Sequence, residues 1–219
     1  MNPIAWLLDL IYPPKCVFCG RLLKKNETDV CAKCRVALPE VVGSIERGEF
    51  FRCCWSVYYY EGFVAQSILR YKFGGMQQYA DAYGRETAML LLRSHVEFDV
   101  LTWVPVSDRR RRARGYDQSG LLAQAVASEL GVPCTRTLRK KRDNPPQSRL
   151  RDHERRRANV LNAYEAVQEE NFCGKRVLLI DDVITSGATL SECSRVLRTA
   201  GAAEVVCATL AAARNKDSR

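Results

Sequence analysis

The stretch Val177 to Leu190, VLLIDDVITSGATL, constrains the fold of this chain more than any other part of it. Its four apolar residues VLLI read as a strand buried on both faces, the kind found in parallel sheets. An acid pair, Asp181 and Asp182, stands at the carboxyl end of that strand. A small, hydroxyl-bearing turn of Thr185, Ser186, Gly187, Ala188 and Thr189 follows and opens a helix. In that helix Leu190, Cys193, Val196, Leu197 and Ala200 form one apolar stripe. Strand, acids, turn and helix in this order predict an α/β fold, a mainly parallel sheet flanked by helices. Ligands of such sheets sit beyond the carboxyl ends of the strands.

The rest of the chain carries the same alternation. Strand composition at Ser56 to Tyr60 precedes helical patterns over Val64 to Phe73 and Gln78 to His95, with Gly74 and Gly75 marking the turn between them. A strand over Val100 to Val104, a helix over Gln118 to Leu130 and a strand over Glu204 to Leu210 complete the series. The basic, proline-containing residues Arg139 to Arg157 read as an exposed loop. The length of 219 residues suits one core domain of about 150 to 180 residues plus a small appendage. The predicted division is a head over 1–45 and an α/β domain over 46–219.

Cys16, Cys19, Cys31 and Cys34 in the head form C-x₂-C-x₁₁-C-x₂-C, two knuckles of the type that bind zinc through four thiolates. Four protein ligands leave no open position, so the predicted zinc is structural. The short spacer makes the head a tight hairpin. Cys53, Cys54, Cys134, Cys173, Cys193 and Cys207 read as packing or incidental thiols. The N-terminal stretch MNPIAWLLDLIYPP carries Asp9 and no basic leader, which predicts a docking helix in place of a signal peptide. No apolar run approaches the roughly 18 residues of a transmembrane segment. Reduced thiols without an export signal predict a cytoplasmic protein.

The amides at a helix N-terminus, with Gly187 and the Thr and Ser hydroxyls, make a cup for a phosphate dianion. Adjacent carboxylates suit such a site when the ligand also offers hydroxyls, as a ribose 5-phosphate does. No G-x-x-x-x-G-K-S/T and no G-x-G-x-x-G after a strand is present. A plainer reading is a helix cap preceded by two surface aspartates. The formal charge of +9 is concentrated: Ser107 to Arg157 holds 15 Lys/Arg and 6 Asp/Glu, leaving 19 of each elsewhere. That segment therefore supplies the whole excess and points to phosphate or nucleic acid, or else to a solvated face.

Val177 to Leu190 closely resembles the phosphoribosyl pyrophosphate signature of type I phosphoribosyltransferases, an acid pair before a T-x-G-x-T loop. The resemblance implies that Asp181 and Asp182 hold the ribose hydroxyls in a catalytic role and that Thr185, Ser186, Gly187, Ala188 and Thr189 hold the 5-phosphate. It also implies Mg²⁺ bridging ribose and pyrophosphate. Ser107, Asp108 and Arg109, after the strand ending in Val104, match the pyrophosphate loop; Lys72, before two glycines in RYKFGG, either reaches the same rim or is an ordinary surface lysine.

DLIYPPKCVFCG, VPVSDRRRRARGYDQSGLLA and PPQSRLRDHERRRANV together resemble the narrower ComF family of competence-associated proteins over nearly the full length. Arg114, Gly115, Tyr116, Asp117, Gln118 and Gln147 match characteristic positions, although the family more often has Phe-Asn at Tyr116-Asp117. The resemblance implies a role in DNA uptake, single-stranded DNA as a partner and a DNA-translocating ATPase as a contact of the head. Arg110, Arg111, Arg112, Arg114, Arg149 and Arg151 are the expected nucleic-acid contacts, with only Tyr116 near enough to stack on a base. An active transferase delivering phosphoribosyl to a nitrogen nucleophile is the alternative.

Overall fold

The computed structural model describes residues 13–45, 48–143 and 158–214. Seven strands are present among them: β1 (Ser44–Ile45), β2 (Cys54–Tyr59), β3 (Val100–Trp103), β4 (Leu138–Lys140), β5 (Tyr164–Ala166), β6 (Arg176–Ile184) and β7 (Glu204–Ala212). Five of them form one sheet in the order β1-β2-β7-β6-β3, parallel throughout except for β1 at the edge. The helices Gly62–Phe73 and Tyr79–Arg93 lie between β2 and β3, Gln118–Leu130 follows β3, and Ala188–Thr199 links β6 to β7.

The central strands are apolar on both faces because both faces are covered. Leu178 and Ile180 of β6 pack with Tyr83, Leu122 and Val126 of the helices in one core. Val177 and Leu179 pack with Leu190, Cys193 and Leu197 in the other. The expected mainly parallel sheet flanked by helices is what forms. The expected turn is also there: Gly75 holds φ +70° and the Gly74 amide closes on Arg70 O at 2.7 Å.

Two expectations need correction. β6 does not stop at Ile180 but continues to Ile184, since β7 runs beside it with Asp181 opposite Thr209 and Ile184 opposite Ala212. The exposed loop expected from Arg139 starts inside β4, which pairs antiparallel with β5. Leu138 and Tyr164 anchor that pair in the second core, where their burial outweighs the polarity of the neighbouring residues. A helix over Asp108–Arg114 was also not expected; Ser107 caps it by accepting from the Arg110 amide. The N-terminal stretch read as a docking helix lies mostly outside the described residues.

The cysteine head packs directly on the sheet's first layer. Phe18 shares the core of Tyr58, Ile68 and Tyr83, meeting the Tyr58 ring edge-on at 5.5 Å. Arg70 donates to the carbonyls of Val17 and Phe18 at 3.1 and 2.5 Å, and Ser67 donates to Val17 O. Arg35 pairs with Glu86 and Arg85 with Asp29, both at 2.7 Å.

Candidate functional site

A cleft of about 300 Å³ opens at the carboxyl ends of β3 and β6. Its floor is the acid pair. Asp181 accepts from the Ser119 hydroxyl at 2.8 Å and from the Asp182 amide at 2.9 Å. Burial, and then the charge of Asp182, push the Asp181 carboxyl up to about 7. Asp182 is buried, with one oxygen 2.8 Å from Lys72 Nζ and the other, Oδ2, without a hydrogen-bond partner among the described residues. A buried carboxylate oxygen left in this state needs a donor.

The raised acid has a consequence for stability. The unfolded chain ionises this carboxyl near 3.8, so between pH about 4 and 7 the unfolded state loses a proton that the folded state keeps. Asp181 therefore costs stability as pH rises through that window, and the cost persists above it. Asp181→Asn keeps the acceptor for Ser119 and is expected to stabilise the protein by about 1–2 kcal/mol at pH 8, roughly 2–8 °C, with no gain below pH about 4. Thermal unfolding at the two pH values checks this; an Asn variant equally or less stable at pH 8 contradicts it.

Above the acids, Thr185 to Leu190 line the cleft. Gly187 sits at the helix N-cap with φ +76°, in the left-handed region, and no side chain caps the helix. The amides of the first turn have no acceptor within the helix and border the same space. The predicted phosphate loop and acid pair are thus brought together, and Lys72 joins them.

The basic segment divides. Arg110 and Arg114 line the cleft, whereas Ser107, Asp108 and Arg109 are not among its lining residues. Ser107 donates to Asp143 at 2.6 Å, Arg109 is 82% exposed at its side chain and pairs with Asp143, and Asp108 pairs with Arg111. Arg111 and Arg112 are exposed on the same short helix. Arg149, Arg151 and Gln147 lie outside the described residues. Tyr116 is buried, its hydroxyl donating to Tyr71 O, so it offers no face to a base.

Asp117 explains its own departure from Asn. One oxygen accepts from the Gly120 amide at 3.1 Å and the other from Trp103 Nε1 and the Val106 amide, each at 3.2 Å. Both oxygens are acceptors, a role an amide fills with only one of its two ends. Sequence reading missed Ser119, Lys140 and Tyr164 as site residues. Lys140 and Tyr164 face each other across β4 and β5, with Nζ donating to the phenol oxygen at 3.1 Å inside the cleft.

In the head, all four sulfurs lie within 4.8 Å of one another. The Cys31 amide donates to Cys16 Sγ at 3.4 Å and the Cys34 amide to Cys31 Sγ at 3.3 Å. Three of the four cysteines are buried. This set fits tetrahedral thiolate zinc held for structure.

Comparison with known proteins matches a separate domain model to each of these two regions. Residues 117–219 match the model of the phosphoribosyl transferase domain, and residues 7–45 match that of the double zinc ribbon domain. The chain is 38% identical over 103 residues to Competence protein F of Haemophilus influenzae, covering 47% of this chain and 45% of that protein. It is 28% identical over 192 residues to Competence protein ComFC of Bacillus subtilis, covering 87% and 74%. The chain is thus similar to competence proteins of the ComF type in both its ribbon segment and its phosphoribosyl transferase domain. The chain spans less than half the length of the Haemophilus relative. Its matched ribbon segment contains four cysteines in one cluster, enough for a single zinc ion. Among solved structures, that titled the allosteric regulatory enzyme of purine biosynthesis is 28% identical, covering 64% of this chain and 29% of its own, with a TM-score of 0.44.

Proposed function

We propose that this protein is a member of the ComF family that binds phosphoribosyl pyrophosphate with Mg²⁺ in the β6 cleft and serves DNA uptake by handling single-stranded DNA. The observation that carries the first part is the meeting of a carboxylate pair, an uncapped helix start and Lys72 at one strand end. Asp181 and Asp182 accept from the ribose hydroxyls, and the unpartnered Oδ2 of Asp182 gains its donor there. Thr185 to Thr189 surround the 5-phosphate, while Arg110 and Lys72 face the pyrophosphate side. Mg²⁺ supplies charge neutralisation of the pyrophosphate. Calorimetric titration of phosphoribosyl pyrophosphate with Mg²⁺ tests the reading: saturable binding that ribose 5-phosphate competes away supports it, and no heat at millimolar ligand removes it.

The competence names of the relatives support the second part, as does the exposed basic helix Asp108–Arg114. With no base-stacking aromatic on that helix, DNA affinity there is backbone electrostatics. Arg111→Ala/Arg112→Ala is expected to weaken binding of an oligo-dT and to flatten its log K against log salt slope by about 1–1.4. Fluorescence anisotropy across a salt series decides; an unchanged slope takes DNA off this helix. In the same reading the zinc head docks a DNA-translocating ATPase in the cytoplasm. No helix among the described residues is long and apolar enough to cross a membrane.

A transferase reaction is favoured by the position of the Asp181 carboxyl on the cleft floor, where burial and the Asp182 charge push it up to about 7. A nitrogen nucleophile bonds to C1 as the C1–O bond to pyrophosphate breaks, and the nitrogen's proton passes to a carboxylate. Pyrophosphate release that depends on an added base or amine is its test.

A further inference from the structure

Just beyond β4, one carboxylate sits in the middle of the chain's densest positive charge. Asp143 Oδ1 accepts from the Ser107 hydroxyl at 2.6 Å and lies 3.6 Å from Arg110 Nε, while Oδ2 lies 3.3 Å from the Arg109 guanidinium. Ser107 is fixed in turn: it is buried, and its oxygen accepts from the Arg110 amide at 3.3 Å, which leaves its proton for the carboxylate. Donation from Ser107, and then the charges of Arg110 and Arg109, hold the Asp143 carboxyl below its ordinary range, so it stays ionised at neutral pH.

The contact matters for the cleft because Arg110 is shared. Its side chain lines the cleft, and its Nε faces Asp143, which is not among the lining residues. A guanidinium engaged by one carboxylate has fewer N–H groups for a second anion, and the Asp143 charge opposes any anion that reaches Arg110 from the cleft side. The hold is nevertheless a light one. The Arg109 side chain is 82% exposed and the Arg110 separation exceeds a hydrogen bond, so both ion pairs are of the weak, solvent-screened kind. Pyrophosphate brings more charge and more acceptor oxygens to the same donors than a carboxylate does.

We propose that Asp143 is an internal competitor of the anion that the cleft takes: its carboxylate engages Ser107, Arg109 and Arg110 until a pyrophosphate group displaces it. The contact is thus autoinhibitory, lowering affinity for any anion too weakly charged to break it. The inference deepens the phosphoribosyl reading and rests on it for the identity of the anion.

The test is calorimetric titration of inorganic pyrophosphate, in the presence of Mg²⁺, into wild type, Asp143→Asn, Asp143→Ala and Glu165→Gln. Asp143 belongs to neither core, so its loss leaves the packing intact. Both Asp143 variants are expected to bind pyrophosphate about three- to tenfold more tightly, since no ion pair has to be broken first. Glu165 lies on β5 and pairs with Arg139. Its neutralisation removes the same charge from the same ribbon without touching Ser107 or Arg110, and is expected to change affinity by less than about twofold. An equal gain in Glu165→Gln would mean that net charge alone matters and overturns the competitor. Unchanged or weaker binding by the Asp143 variants also overturns it, because Asp143 would then be a support for the arginines, and so does absence of pyrophosphate binding by every protein. Ribose 5-phosphate is titrated alongside. It carries no pyrophosphate, so its failure to bind counts against the phosphoribosyl reading while the pyrophosphate series still decides the role of Asp143.

Discussion

Cys31→Ser is expected to strip the zinc and to abolish the cooperative thermal transition of the whole chain, not of the head alone. Cys31 is fully buried and both donates its amide to Cys16 Sγ and accepts from the Cys34 amide. Losing its thiolate removes one of four ligands and the anchor of the second knuckle, whose helix Ala32–Ala37 starts from it. Structural zinc contributes about 10–16 kcal/mol of apparent folding free energy, comparable to or larger than the roughly 5–15 kcal/mol that keeps a whole domain folded. The effect spreads because Cys16, Phe18 and Cys34 share one core with Tyr58, Ile68 and Leu178 of the α/β layer. Metal analysis should give about one zinc per wild-type chain and none for the variant. Cys173→Ser, at an exposed position away from the cluster, should keep both zinc and transition. A Cys31→Ser protein that melts like wild type would sink the assignment.

Asp181→Ala/Asp182→Ala is expected to weaken phosphoribosyl pyrophosphate by at least 100-fold. Each carboxylate accepting from a ribose hydroxyl contributes a charge-assisted hydrogen bond of about 1.5–3 kcal/mol, so removing two costs about 3–6 kcal/mol. Lys72→Met, which takes away the cation 2.8 Å from Asp182, is expected to cost about tenfold. Pyrophosphate alone carries no ribose hydroxyls, so its affinity for the double variant should not fall. Calorimetry on the two ligands separates the cases: equal loss for both means the acids act through general disruption, and loss for neither ends the ribose assignment.

How far the sequence spoke for itself differs by residue. The cysteine quartet and the strand–acid–turn–helix run were legible because each is a local pattern whose spacing already implies its geometry. Gln118–Leu130 was legible to its ends, with Asp117 capping the start and Gly131 in the left-handed conformation at the close. Lys140 was not. It sits in a basic run that reads as solvated, and only its pairing with Tyr164, distant in sequence, turns it inward. Leu69 and Phe73 were legible as helix but not as cleft, since helical periodicity gives the face and not what lies opposite it. Arg110 differs from Arg109 by one step of a seven-residue helix whose phase Ser107 sets, which no run of four arginines reveals.

The continuation of β6 through Asp181 to Ile184 bears on the thermodynamics of any ligand that meets the acids. Both carboxylates hang from backbone locked in a ladder with β7, Asp181 opposite Thr209 and Val183 opposite Ala211. Their conformational entropy is surrendered when the chain folds, not when the ligand arrives. Binding at this floor then carries little backbone reorganisation penalty, so affinity gained from contacts to the acids is not offset by ordering of the strand that bears them.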